Sequence, residues 1–194
     1  MRMNNKINKM IISAMMMAVG FILPFFTGQI PEVGSMLLPM HIPVFLCGLI
    51  CGWRYGLVIG AALPILRSIV FGMPIMFPMA ISMAFELAAY GMIAGFLYNH
   101  SKWKCIKSLY KSLILAMIAG RFVWGIIQGI LLGIGGNAFT WKMFLSGTLM
   151  GSIPGIIVQL LFIPAIMVAL DKTKIVPFSK MHKNSGERKD GVES

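Results

Sequence analysis

Acidic side chains are scarce in this sequence, and charged side chains of either sign are few. Only six of the 194 residues are Asp or Glu, and all charged residues together make up 12% of the chain. A soluble domain of this length needs charged and polar side chains over most of its surface. The chain is instead 58% hydrophobic, with a mean hydropathy of +0.83, and this composition predicts an integral membrane protein.

Cysteines are few, and the common catalytic motifs are absent. The three cysteines include Cys47 and Cys51, an i, i+4 pair inside an apolar run, and no CxxC or Cys/His cluster has metal-ligand spacing. The sequence has no HExxH, no GxSxG, no paired-aspartate motif and no Walker lysine. We therefore expect neither an enzyme nor a protein with a bound metal or cofactor. Any active transport must take its energy from another protein or from an ion gradient.

What the sequence does contain is a series of long apolar runs. They cover residues 9–28, 37–52, 55–72, 78–98, 109–134 and 142–170. Because a helix needs about 20 apolar residues to cross a bilayer, these runs predict an all-α bundle of six transmembrane helices, with the second and third marginal in length. The first run is long for the apolar region of a signal peptide, and no small-residue cleavage site follows it, so we interpret it as a retained helix.

The basic residues predict the orientation of the bundle. They give a formal net charge of +11, but they lie between apolar runs rather than on one amphipathic face, which argues against nucleic-acid binding. On one side of the predicted bundle lie Arg2, Lys6, Lys9, Arg54, Lys102, Lys104, Lys107, Lys111, Lys172, Lys174, Lys180, Lys183, Arg188 and Lys189. The opposite connections, 29–36, 73–77 and 135–141, contain no Lys or Arg. The positive-inside rule therefore places both termini in the cytoplasm, in a multi-pass protein of the cell (plasma) membrane. We assign residues 1–171 to the membrane domain and 172–194 to a polar basic cytoplasmic tail, partly disordered.

Small residues recur at a spacing of four along most of the apolar runs. The pairs and triplets are Ala14/Ala18, Gly48/Gly52, Gly56/Gly60, Gly91/Gly95, Gly125/Gly129/Gly133 and Gly147/Gly151/Gly155. In lipid such stripes let helix backbones approach closely, so packing inside the bundle is the expected role of most of them. Ala14 and Ala18 differ because three flexible methionines separate them near the cytoplasmic end of the first helix. That context suits docking of a partner helix as well as it suits core packing.

Three ionised side chains fall inside the predicted spans: Arg67, Glu86 and Arg121. A charge at the centre of a membrane helix costs roughly 2.5–3.5 kcal/mol even on insertion scales, so each is expected to face protein or a wet cavity. An internal salt bridge between Glu86 and Arg121 is one interpretation. It still leaves one positive charge in excess, which a bound carboxylate held by a guanidinium would neutralise.

Uncharged polar groups add hydrogen-bonding capacity to the predicted outer half of the bundle. His41 and Asn137 are predicted near the outer face, and Gln128 lies seven residues after Arg121, on a similar helix face. Together with the three charged residues they form our candidate substrate-binding set, although each could instead make a hydrogen bond between helices. Two outer segments, Thr27–Pro39 and Phe71–Pro78, carry no charged residue except Glu32. They could cover a cavity as lids or lie at the lipid interface.

Several segments resemble one known family. They are AMMMA at Ala14–Ala18, MLLPMHIPVFLCGLICG at Met36–Gly52, PILRS at Pro64–Ser68 and FELAAYG at Phe85–Gly91. With the six-helix plan they resemble the substrate-binding S components of energy-coupling-factor (ECF) vitamin transporters, over about residues 8–170. The resemblance implies a six-helix S-component fold that binds a vitamin or vitamin precursor near the outer face.

The resemblance also implies partners. S components dock through the first helix onto a transmembrane coupling protein, which carries two cytoplasmic ATPases that use ATP. This assigns Ala14 and Ala18 to docking, and it places Glu86, Arg121, Gln128 and Asn137 by region in the substrate site. The segment MLLPMHIPVFL resembles pantothenate-type members most, with nicotinate and biotin as alternatives. Two other classes of function are alternatives to an S component. One is a self-sufficient secondary transporter of a small organic anion, which the few intramembrane acids disfavour, and the other is a structural membrane subunit without ligand.

Overall fold

The helices of the bundle follow the apolar runs of the sequence. A computed structural model of the chain describes residues 6–26, 39–101, 105–134 and 153–172. The helices are α1 Lys6–Phe26, α2 His41–Cys51, α3 Trp53–Phe71, α4 Ile81–His100, α5 Ile106–Ile134 and α6 Ile153–Lys172, and a π-helical turn, Met76–Ala80, leads into α4. The described ranges contain no β-strand, so the predicted all-α fold is confirmed for that part of the chain.

Five of these helices are long and apolar enough to cross a bilayer: α1, α3, α4 with its preceding turn, α5 and α6. The exception is α2, whose 11 residues rise only about 16 Å against a hydrocarbon core of about 30 Å. The predicted run 37–52 is longer than this helix because residues 39 and 40 form a turn before it. The count of six spans and the cytoplasmic location of both termini remain predictions.

A single residue, Gly52, joins α2 to α3. Its φ of 107° is in a region that favours glycine, and this allows the chain to reverse without a loop. The Gly52 N–H donates to the carbonyl of Gly48, and the Gly56 N–H donates to the carbonyl of Gly52, both at 3.1 Å. The sequence ends one apolar run at residue 52 and begins the next at residue 55, whereas α3 already begins at Trp53.

Glycines hold α2, α3 and α4 in backbone contact. A Cβ added at Gly56 would lie 2.6 Å from the carbonyl oxygen of Gly91 and 2.7 Å from the Cα of Gly48. A Cβ added at Gly95 would lie 2.5 Å from the carbonyl oxygen of Gly48. No side chain larger than hydrogen fits in these positions, so the packing role predicted for these stripes is confirmed. We call this contact, made by Gly48, Gly56, Gly91 and Gly95, the glycine seam.

The core of the bundle surrounds α4, which packs against α2, α3 and α5. Fully buried apolar side chains line it, among them Phe45, Leu63, Leu87 and Leu113. The outer faces of α1, α5 and α6 carry exposed large apolar side chains, as expected of surfaces that meet lipid tails. The bundle therefore has its buried centre around α4 and carries exposed apolar side chains on the outer faces of α1, α5 and α6.

Candidate functional site

Glu86 and Arg121 form an ion pair between α4 and α5. The Nη1 atom of Arg121 lies 3.1 Å from the Oε1 atom of Glu86. Tyr90, one turn after Glu86 on α4, donates its hydroxyl to the same oxygen at 2.7 Å. Gly120 makes the approach possible, because a Cβ there would overlap the Tyr90 ring. We call Glu86, Tyr90 and Arg121 the polar triad.

Glu86 and Tyr90 are buried, Arg121 is partly buried, and the charges of the ion pair sum to zero. Glu86 is 2% exposed and Tyr90 is also 2% exposed, while the Arg121 side chain is 14% exposed. Removing one partner of such a pair would leave the other charge uncompensated inside the bundle, which typically costs about 3–5 kcal/mol. The internal salt bridge between Glu86 and Arg121 that the sequence allows is therefore present in the structure.

Two polar atoms on α5 are buried with their hydrogen-bonding capacity unused. Within the described ranges, neither the Nε atom of Arg121 nor the Oε1 atom of Gln128 has a hydrogen-bond partner. The two residues are seven apart, so they lie on one helix face about 10 Å apart along the axis. The Nε2 atom of Gln159 on α6 is likewise buried and has no hydrogen-bond partner in the described ranges. Buried polar atoms without partners are rare, and a bound ligand is one explanation for them.

Two aromatic rings, those of Phe45 and His41, lie against the Tyr90 ring of the polar triad. The Tyr90 ring stacks on Phe45 with centroids 5.0 Å apart, and the His41 ring lies 5.4 Å from it. His41 is the first residue of α2 and is 1% exposed. The short second helix thus places His41 beside the Tyr90 ring of the polar triad.

Arg67 makes different contacts from Arg121. Its Nη1 atom donates to the carbonyl oxygen of Phe21 on α1 at 3.0 Å. Its guanidinium carbon lies 5.6 Å from the centroid of Phe25 and 5.5 Å from that of Phe71. Arg67 is 5% exposed, and it supplies the positive charge that remains after Glu86 and Arg121 pair.

The depth of Arg67 follows from the glycine seam. Gly56 meets Gly91, and Gly60 meets Leu87, so α3 and α4 are antiparallel and Glu86 lies at the level of residue 61. Arg67 is six residues further along α3, which is about 9 Å nearer its carboxyl end. The structure therefore separates the polar triad from the surplus guanidinium.

Ala14 and Ala18 are exposed on the face of α1 that points away from the bundle. The same helix turns Ser13, Gly20 and Pro24 inward. The core-packing alternative for this alanine pair is therefore not supported by the bundle itself.

Some predicted features lie wholly or partly outside the described residues. Asn137 is one, and the segment Thr27–Pro39 is another except for its last residue. The second segment, Phe71–Pro78, is described, and it exposes Met73, Ile75 and Phe77. No group of three or more His, Cys, Asp or Glu side chains in the described ranges could hold a metal ion.

Sequence reasoning missed two contributors to these sites. Tyr90 was not a candidate, although its i, i+4 spacing from Glu86 is a detectable signal. The carbonyl of Phe21 carries no sequence signal at all, because it depends on how α1 lies against α3. Both contributors are set by packing between helices.

Comparison with known proteins identifies the family. A family model described as ECF transporter, substrate-specific component, matches residues 8–167. Comparison with curated proteins and with solved structures gave no significant match. The family match spans most of the chain and agrees with its apolar helical fold. The chain therefore belongs to the family of substrate-specific components of ECF transporters.

Proposed function

We propose that this chain is the membrane-embedded substrate-binding subunit of an ATP-driven ECF-type importer. It captures a small vitamin or vitamin precursor at the outer face of the cell membrane. It delivers this substrate through a transmembrane coupling protein that carries two cytoplasmic ATPases, and it binds no ATP itself. The observation that carries the proposal is the buried polar triad, with unused hydrogen-bonding atoms beside it, in a chain of this family.

The charges of the bundle support a substrate that bears a carboxylate. Arg67, Glu86 and Arg121 sum to one positive charge between the described helices. An uncompensated buried cation is costly, and a bound carboxylate would offset that cost. We favour pantothenate, which carries a carboxylate, an amide and two hydroxyl groups on a flexible chain. Residues Arg67, Glu86, Arg121, Gln128, His41 and Asn137 make up the proposed substrate-binding set.

The outward face of α1 supports docking to the coupling protein. Ala14 and Ala18 present small side chains there, between exposed residues such as Ile11 and Ile22. A groove of small residues lets a second helix approach closely in lipid, where packing drives association. Because this face packs against no described part of the chain, it is available to a partner helix.

Small-molecule mass spectrometry on the purified protein tests the proposal. A subunit that binds tightly retains its substrate through purification, so a vitamin-sized carboxylate is expected to appear after denaturation. The same compound, added back to ligand-free protein, is expected to raise its thermal unfolding temperature in a concentration-dependent way. If none of a panel of vitamins and precursors stabilised the protein, the substrate-binding function would be wrong.

A further inference from the structure

The unused atoms of Arg121 and Gln128 differ in kind. The Nε atom of Arg121 is a donor, and the Oε1 atom of Gln128 is an acceptor. A substrate that satisfies both must therefore accept a hydrogen bond at Arg121 and donate one at Gln128, about 10 Å further along the helix axis. Amides and neighbouring hydroxyls do this, whereas an ionised carboxylate only accepts.

The charge of the polar triad leads to the same conclusion. Glu86 already neutralises Arg121 at 3.1 Å. A substrate carboxylate at Arg121 would bring a second negative charge to one guanidinium and give the buried cluster a net charge of −1. An uncompensated charge inside the bundle is unfavourable. An uncharged polar group avoids this cost and still uses the free Nε donor.

Tyr90 strengthens this argument because its hydrogen bond helps to hold the Glu86 carboxylate against Arg121. Its hydroxyl donates to the same carboxylate oxygen that contacts Arg121. The carboxylate is thus held by two donors and lies fixed in place, and the guanidinium is held by the carboxylate. The Nε–H group of Arg121 is therefore held in a fixed direction and has no hydrogen-bond partner in the described ranges.

We propose that Arg121 and Gln128 recognise uncharged polar groups of the substrate, such as an amide and a hydroxyl, with an acceptor at Arg121 and a donor at Gln128, and that the polar triad does not bind the substrate carboxylate. This inference rests on the proposed function and specifies which part of the substrate lies at this site. The carboxylate is left to the surplus charge of Arg67, which is nearer the carboxyl end of α3. The recognised class is therefore a bifunctional small acid with a neutral polar group at a distance from its carboxylate.

The test measures binding of four probes to the purified full chain in lipid nanodiscs. They are D-pantothenate, its neutral alcohol analogue D-panthenol, nicotinate and nicotinamide. The variant Gln128→Leu keeps the side-chain size close to native and removes the acceptor. It is expected to weaken pantothenate and panthenol by the same factor, at least tenfold, while the unfolding temperature without ligand stays equal or rises, because an unsatisfied buried atom is removed.

A matched control lies on the same helix. Ser112 is buried, and its hydroxyl donates to its own helix at the carbonyl of Ser108, so Ser112→Ala should leave binding of all four probes unchanged. The variant Glu86→Gln distinguishes whether Arg121 binds the substrate carboxylate or an uncharged group of the substrate. If Arg121 captured the carboxylate, freeing its guanidinium would tighten pantothenate binding. We expect the opposite, weaker binding of pantothenate and panthenol alike, because Arg121 loses its orientation.

Three results would overturn the inference. One is binding of pantothenate and panthenol within twofold of wild type in Gln128→Leu. Another is tighter pantothenate binding in Glu86→Gln. The third is preferential binding of nicotinate, whose only exocyclic polar group is the carboxylate. In each of these cases the wild-type chain still binds a probe, so the proposed function stands. If the wild-type chain binds none of the four probes, the pantothenate assignment and this inference both fail.

Discussion

Arg67 on α3 donates a hydrogen bond to the carbonyl oxygen of Phe21 on α1, with 3.0 Å between the Nη1 and O atoms. The contact joins residues 46 positions apart in the chain. It lies at a weak point of α1, since Pro24 has no N–H and cannot continue the hydrogen-bond ladder of that helix. Phe25 and Phe71 enclose the same guanidinium, and their rings meet edge to face at 4.9 Å. Arg67 therefore fastens the carboxyl-terminal turn of α1 to α3.

Replacing Arg67 should loosen this turn. In Arg67→Gln the hydrogen bond and both cation–π contacts are lost, which together contribute about 1–3 kcal/mol. We expect amide hydrogen exchange at residues 21–26 to speed up about tenfold or more, measured by mass spectrometry in nanodiscs. The control is Arg54→Gln at the other end of α3, where the guanidinium lies over the exposed Trp53 ring. Equal exchange in wild type and Arg67→Gln would show that α1 is held without this contact.

The glycine seam gives a second prediction. The variant Gly91→Ala places a methyl group against the backbone of Gly56, which cannot move without separating two helices. Overpacking of this kind costs about 1–3 kcal/mol, so the unfolding temperature in detergent should fall. Gly133→Ala is the matched control, because in the described part of the chain no atom beyond its own helix backbone lies within 4 Å of an added Cβ there. That variant should be as stable as wild type or slightly more stable, since alanine favours helix. A Gly91→Ala protein as stable as the control would contradict the close packing.

The ion pair predicts strong non-additivity between two substitutions. Glu86→Met alone leaves Arg121 buried without its carboxylate, and Arg121→Met alone leaves Glu86 without its guanidinium. Each single variant is expected to lose about 3–5 kcal/mol of folding stability. The double variant removes both charges, so it should recover to within about 1 kcal/mol of wild type while binding no substrate. Thermal unfolding and binding on the same samples check this. If the double variant lost the sum of the two single losses, the two side chains would not be energetically coupled.

The docking face of α1 can be separated from the substrate site. Ala14→Trp combined with Ala18→Trp fills the small-residue groove and should abolish co-purification with the coupling protein without changing substrate affinity. Val19→Trp is the control, because Val19 is also exposed on α1 but lies well to one side of the alanine pair. Intact co-purification in the double tryptophan variant would place the docking surface elsewhere.

The sequence predicts much of this fold, because apolar runs and glycine spacing are local signals. It locates five of the described helices within about four residues and the end of α6 within two, whereas the predicted start of that last run at residue 142 lies outside the described residues. It also predicts close packing at Gly56 and Gly91. It allows Glu86 either to pair with Arg121 or to face the ligand but does not choose between these, since the choice depends on the rotation of α4 against α5. The contact between Arg67 and Phe21 is not predictable from local patterns, because a backbone carbonyl looks the same at every position. The late start of the short helix, at His41 rather than at residue 37, is likewise set by a turn at residues 39 and 40 that hydropathy does not detect.

Substrate uptake into proteoliposomes tests the central claim most directly. The chain is reconstituted alone, or with the coupling protein and both ATPases, and labelled pantothenate is followed with and without ATP and with imposed proton or sodium gradients. We predict accumulation only when all partners and ATP are present, and none by the chain alone under any gradient. Gradient-driven accumulation by the chain alone would contradict this account and identify it as a secondary transporter.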